Sequence, residues 1–266
     1  MNDTTPTLNK VTSKDGTTIA FDRLGEGPPV ILVSGGSVDR QANAGVAAIL
    51  ASDFTVFNYD RRGRGPSGDT PPYAVEREVE DIDAVVTAAG GSAHLYGTSS
   101  GAALALIAAA QLPGKITKLA LWEPPYIIDP AARPPADQVE QYNTMLAEGR
   151  RGDAAQYFME KVVGMPAEFV ASARSQPWWA WTESLAHTLP YDATIMGDYS
   201  LPLELAKAVT IPTIVLAGGA SFPFMRETAE ALSKALPAGT TATLEGQSHD
   251  VAPDVIAPAL KAFFAG

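Results

Sequence analysis

His94-Leu95-Tyr96-Gly97-Thr98-Ser99-Ser100-Gly101-Ala102-Ala103-Leu104-Ala105-Leu106 passes from a short apolar segment, through a turn of small residues, into an Ala/Leu-rich one. The centre, Gly97 to Gly101, has the form small-x-Ser-x-small. A serine held on a sharp strand-to-helix turn must adopt a strained backbone conformation, and only small neighbours leave room for it. A helix starting just after Ser99 aims its free N–H groups and positive end at the place where an oxyanion would form. Gly/Ser turns are common, so specificity comes from the setting: a strand before the turn and a buried helix after it. Ser99 is therefore the candidate nucleophile.

Working outward, short apolar runs alternate with helical patterns. Val30-Ile31-Leu32-Val33 and Phe54-Thr55-Val56-Phe57 read as strands buried on both faces, and Ile116 to Trp122 reads as another strand. A helix is expected from Val75 to Ala89, with Val75, Val79, Ile82, Val85 and Val86 at helical spacing. Upstream, Lys14-Asp15-Gly16 followed by Thr17 to Phe21 reads as a hairpin. From Pro124 to about Leu205 no strand is expected; the segment is rich in proline and helix-like stretches and carries Trp178-Trp179-Ala180-Trp181. Alternation resumes with Thr213 to Leu216, a helix from about Phe224 to Leu236, the strand Thr241 to Leu244 and a last helix from about Pro253 to Phe264. The pattern predicts an α/β fold: a mostly parallel central sheet flanked by helices, formed by residues 1–123 and 206–266, with a helical cap inserted at 124–205.

Composition narrows the partners. A net charge of −11, with Arg61-Arg62-Gly63-Arg64 as the one dense basic run, argues against nucleic acid and anionic membrane surfaces. That run lies in a Gly-rich loop with no Lys-Ser/Thr after it, so it reads as loop chemistry rather than a phosphate cradle. There is no cysteine, which excludes disulfides, thiolate metal sites and a Cys nucleophile. The apolar run Ala102 to Ala110 is too short to span a bilayer, and Met1 to Lys10 lacks a hydrophobic signal region. The expectation is a cytoplasmic protein acting on a small-molecule substrate, without metal or organic cofactor; a homo-oligomer is compatible with the sequence.

The chain has three histidines. His94 precedes the strand leading into the Ser99 turn, at the wrong end of the sheet, and His187 lies among apolar residues of the insertion. His249, in Gly246-Gln247-Ser248-His249-Asp250, follows the last strand at the carboxyl edge where Ser99 also emerges, which makes it the candidate general base.

In this order of elements the chain resembles the α/β-hydrolase superfamily over essentially its full length. The likeness rests on Val30 to Val33 with its glycine turn, the loop Asp60 to Ser67, the Ser99 elbow, the cap-like insertion and the late His249. The resemblance implies a serine hydrolase with an oxyanion hole formed by the N–H groups of Gly36 and Ser100. Two positions depart from the common pattern. Ser34-Gly35-Gly36-Ser37 stands where many members carry His-Gly, a change that backbone donors tolerate. More consequentially, Ser221 in Gly218-Gly219-Ala220-Ser221 stands where the acid of a triad is expected. Glu123, ending the strand after the elbow helix, is the best replacement, because related enzymes such as the haloalkane dehalogenases are similar in placing an acid there. Asp250 ranks below it, and Asp192 and Asp198 remain as acids of the insertion.

The resulting expectation is acyl transfer: Ser99 attacks a carbonyl, His249 takes its proton, Glu123 supports the histidine, and an acyl-enzyme is released by water. Trp122, Trp178, Trp179, Trp181 and Phe222 are candidate pocket residues for a partly hydrophobic ester, lactone or thioester, with Tyr142, Phe158 and Phe169 as further aromatics of the cap. A perhydrolase-like enzyme is an alternative on the same machinery, and a ligand-binding or signalling protein that keeps the fold is the alternative of a different class. Dehalogenase or epoxide-hydrolase chemistry needs a carboxylate where Ser99 stands.

Overall fold

The computed structural model describes residues 7–266. The hairpin forms from β1 (Thr7–Thr12) and β2 (Thr18–Leu24), paired antiparallel, and Gly16 supplies the positive φ of +88° that its turn requires. Then follow β3 (Pro29–Val33), α1 (Ala44–Leu50), β4 (Thr55–Tyr59), α2 (Val75–Ala88), β5 (Ala93–Thr98), α3 (Ser100–Gln111) and β6 (Ile116–Trp122). Six α-helices, with shorter 3-10 and π segments between them, occupy the stretch between β6 and the next strand: α4 (Gln138–Ala147), α5 (Arg151–Tyr157), α6 (Ala167–Ala173), α7 (Trp179–Leu185), α8 (Leu189–Met196) and α9 (Leu203–Ala208). The chain closes with β7 (Thr213–Gly218), α10 (Pro223–Ala235), β8 (Gly239–Leu244) and α11 (Pro253–Ala265).

The eight strands form one sheet in the order β1-β2-β4-β3-β5-β6-β7-β8, antiparallel at the β1–β2 and β2–β4 pairs and parallel from β4 to β8. Both faces are covered, which is why the central strands read as continuous apolar runs. Ile31, Val33, Leu95, Leu119, Leu121 and Val215 pack on one side with α2, α3 and α10. Their sequence neighbours Val30, Leu32, Tyr96, Ala120, Trp122 and Leu216 pack on the other with α1 and α11. Helix α3 is apolar on every face because it is enclosed on every face, with Ala102 to Leu106 all fully buried.

Helix α1, Ala44-Gly45-Val46-Ala47-Ala48-Ile49-Leu50, carries no sequence signal of its own. It is seven residues long, lacks a side-chain cap, and owes its place to packing on α11, where a Cβ on Gly45 would lie 2.7 Å from Pro253 Cγ. At the other end of the inserted helices, α9 straddles the boundary expected at residue 205. Among the described residues, no helix is long and apolar enough to cross a membrane.

Candidate active site

The parallel strands bring Ser99, Glu123 and the loop carrying His249 to one edge. Thr98 pairs with Trp122, Trp122 with Leu216, and Gly218 with Leu244, so the carboxyl ends of β5, β6, β7 and β8 line up. Ser99 directly follows β5 and holds φ +54°, ψ −127°. Its small neighbours are steric requirements. A Cβ on Gly97 would lie 2.5 Å from the Gly101 carbonyl, and one on Gly101 would lie 2.3 Å from that of Ser34. Among the described residues four non-glycines have positive φ: Ser37, Ser99, Glu123 and Tyr199. Three of them sit at this edge of the sheet, and strain of this kind gathers at functional sites.

Glu123 is completely buried and fully used. Its Oε1 accepts the Gly218 N–H at 2.7 Å, while its Oε2 accepts the Ser221 hydroxyl at 2.8 Å and contacts His249 Nδ1 at 2.6 Å. With its oxygens serving as acceptors, the proton of the last contact belongs to Nδ1, leaving His249 Nε2 as the basic nitrogen. Ser221, standing where the resemblance leads to a carboxylate, instead donates its hydroxyl to Glu123, the candidate acid. The His249 ring is half-buried, so it is held from behind and reachable from the front.

Trp122 ties the strand ends together. Its carbonyl accepts the Ser99 N–H at 2.9 Å, and its indole Nε1 donates to the His249 carbonyl at 2.9 Å. Expected as a pocket residue, it is enclosed and hydrogen-bonded beneath the site. Trp179 is likewise withdrawn: it packs with Val170 and Ala173 and donates to Glu183 Oε1, because a buried indole N–H needs an acceptor. Trp178, Trp181, Phe222 and Phe169 are exposed, whereas Tyr142 is buried against Tyr157. None of these aromatics is bonded to Ser99, Glu123 or His249 through its ring, apart from the Trp122 indole contact to the His249 backbone.

The other two histidines lie elsewhere. The His94 ring stacks on Phe264 and its Nδ1 meets the Thr117 hydroxyl; His187 Nδ1 meets the Ser184 carbonyl. Asp250 is exposed, and Asp198 faces Arg133 and Ser200.

The loop after β3 lies against the elbow. A Cβ on Gly35 would sit 3.1 Å from Ser99 Cβ, and one on Gly36 would sit 3.3 Å from Ser100 Oγ. Gly35 thus packs on Ser99, and the candidate donor residue Gly36 lies beside the other, Ser100, the first residue of the 12-residue helix α3.

A buried ionic cluster with no local sequence signal surrounds this loop. Arg61 binds Glu78 through two contacts of 2.7 Å and Asp192 at 2.7 Å; Arg64 binds Asp192 at 2.8 Å. Arg62 pairs separately with Asp81 and Asp15. The basic run is therefore consumed internally rather than presented to a ligand. Burial pushes the Asp192 carboxyl up, but the charges of Arg64 and Arg61 and the hydrogen bonds from Arg61 and Ser100 outweigh it and hold the group below its ordinary value. Among the described residues no group of three or more His, Cys, Asp or Glu is arranged to hold a metal ion.

The alpha/beta hydrolase family model matches residues 30–259 of the chain. An alpha/beta hydrolase from Sphaerobacter thermophilus DSM 20745 is 52% identical, superposes with a TM-score of 0.90, and aligns over 96% of this chain and 100% of its own. The esterase RhEst1 from Rhodococcus sp. ECU1013 is 21% identical, with a TM-score of 0.72 over 97% of this chain and 98% of its own, a likeness of fold. Bacillus subtilis (strain 168) YraK, an uncharacterized hydrolase, is 26% identical over 212 residues, covering 77% of this chain and 76% of YraK.

Proposed function

The chain belongs to the alpha/beta hydrolase family, and from that premise we propose that it is a serine hydrolase cleaving an ester-type bond of a small, partly hydrophobic substrate. The observation that carries the reading is the buried Glu123 bonded to His249 Nδ1 at the sheet edge where Ser99 stands strained on its elbow. Ser99 Oγ attacks the substrate carbonyl while His249 Nε2 takes its proton, and Glu123 stabilises the imidazolium. The N–H groups of Gly36 and Ser100 receive the oxyanion, each such donor being worth about 3–4 kcal/mol. Collapse of the tetrahedral intermediate expels the alcohol, which His249 protonates. Water, activated by the same histidine, then releases the acid from Ser99. None of these steps calls for a metal or organic cofactor. In this reading residues 124–205 act as a cap over the carboxyl edge of the sheet and shape what enters. Hydrolysis of p-nitrophenyl butyrate by the parent and by Ser99→Ala tests the proposal: the variant is expected to lose at least about 10⁴-fold in kcat. Equal rates in the two proteins would refute it.

A further inference from the structure

We infer that Asp192, carried on α8 of the inserted helices, acts with Arg64 and Arg61 as a positioning residue of the oxyanion hole, an inference that rests on the serine-hydrolase reading above. Gly35 and Gly36 have no side chains to restrain them, so the peptide unit between them is free to rotate unless its polar atoms are held. In a planar trans peptide the C=O and N–H point in opposite directions, so fixing one aims the other. Arg64 Nη1 donates a short hydrogen bond to the Gly35 carbonyl, and Arg61 Nη1 lies 3.5 Å from the same oxygen. Held on its carbonyl side by guanidinium groups, the unit presents the Gly36 N–H to the opposite side.

Asp192 unites the two candidate donors. Its Oδ1 accepts from Arg61 Nη1 at 2.7 Å and from the Ser100 hydroxyl at 2.8 Å; its Oδ2 accepts from Arg64 Nη2 at 2.8 Å. One carboxylate therefore reaches the residue that supplies the second donor directly and the peptide of the first donor through Arg64. It also packs on Gly36 itself, where a Cβ would lie 3.1 Å from Oδ2 and 3.2 Å from Cγ. The charges balance by formal count, Arg61 and Arg64 against Glu78 and Asp192, so the cluster holds the loop without leaving a bare charge behind it. Buried ion pairs of this kind are costly to desolvate, and they are weak explanations of stability alone. Here the cluster links an inserted helix to the peptide that would receive the oxyanion.

Asp192→Asn and Arg64→Lys test the inference. The amide introduced by Asp192→Asn has a single acceptor oxygen where two guanidinium groups and a hydroxyl need one, and the ammonium introduced by Arg64→Lys keeps the charge but cannot span Gly35 and Asp192 with a planar fork. The readouts are kcat and KM on p-nitrophenyl butyrate, the inhibition constant of an aryl trifluoromethyl ketone, whose tetrahedral adduct carries an oxyanion, and the melting temperature. The expected result is a fall of about 10- to 100-fold in kcat, matched by an equal loss of ketone affinity, with KM within about threefold of the parent. A merely structural role lowers the melting temperature while leaving kcat and ketone affinity within about threefold, and that result in either folded variant overturns the inference. Should Asp192→Asn fail to fold, Arg64→Lys decides by the same criteria. A folded parent that neither turns over the ester nor binds the ketone removes the serine-hydrolase premise, and the inference with it.

Discussion

Glu123→Gln changes one atom of a buried side chain, and the hydrogen bonds around it dictate how the amide must sit. The Gly218 N–H, 2.7 Å from Oε1, can only donate, so the amide oxygen takes that place. The amide nitrogen then occupies the Oε2 position, facing His249 Nδ1 at 2.6 Å and Ser221 Oγ at 2.8 Å. An NH2 group there donates to Nδ1 and drives the imidazole proton onto Nε2, the nitrogen that accepts the proton of Ser99 in the proposed mechanism. The equivalent change in a serine protease triad leaves the geometry intact and lowers kcat by about 10⁴, which corresponds to about 5 kcal/mol at the transition state. The same loss is expected here. Steady-state hydrolysis of p-nitrophenyl butyrate gives kcat and KM separately, and a thermal melt verifies the fold; KM should stay near that of the parent. A kcat within about tenfold of the parent in a folded Glu123→Gln protein refutes the reasoning that makes Glu123 the partner of His249.

Because Ser221 Oγ lies 2.8 Å from the carboxylate and Glu123 holds φ +44°, a conformation glycine accepts, the pair Glu123→Gly/Ser221→Asp should recover roughly 10²-fold in kcat over Glu123→Gly alone; equal rates would show that an acid at 221 cannot serve His249. Gly101→Ala pushes a methyl group toward the backbone carbonyls of Ser34 and Val33, at 2.3 and 2.6 Å, and should cost about 2–3 kcal/mol in urea unfolding; unchanged stability contradicts that packing. Arg62→Met strands the fully buried Asp81, which Arg62 now binds through two contacts of 2.8 Å, and should lower stability by about 3–5 kcal/mol by the same measurement. Burial, aided by Lys118, holds His94 below its ordinary pKa of 6.5. As pH falls below that value the unfolded chain takes up the proton before the folded one, so folding weakens until the folded imidazole is also protonated. His94→Phe should flatten the loss of urea stability between about pH 7 and 5, and an undiminished slope would mean that His94 is not its source.

The sheet was legible because its central strands are buried on both faces and bounded by turn residues. The strand expected at Ile116 to Trp122 forms over that full extent, and the helix expected from Val75 to Ala89 ends one residue earlier, at Ala88. The elbow was legible because close approach demands glycine at 97 and 101, a requirement visible in the sequence as spacing. A tryptophan in a sequence advertises burial as readily as contact: Trp122 and Trp179 are satisfied inside the protein, whereas Trp178, Trp181 and Phe222 are exposed. The ionic cluster was illegible for another reason. Arg61 and Arg64 meet Asp192 from about 130 residues away, and no local pattern distinguishes a carboxylate that will face two guanidinium groups from one that will face water. Buried arginines nonetheless need partners, so three arginines in four positions of a glycine-rich loop signal that acids elsewhere in the chain must come to them.

The central claim is that Ser99 is the nucleophile, and covalent labelling addresses it most directly. The folded protein is treated with a fluorophosphonate and the modified residue is located by peptide mass spectrometry. The account predicts one phosphonyl group on Ser99, abolished in Ser99→Ala and strongly slowed in Glu123→Gln. An adduct on another residue, or a folded protein that remains unlabelled while hydrolysing esters, would contradict it.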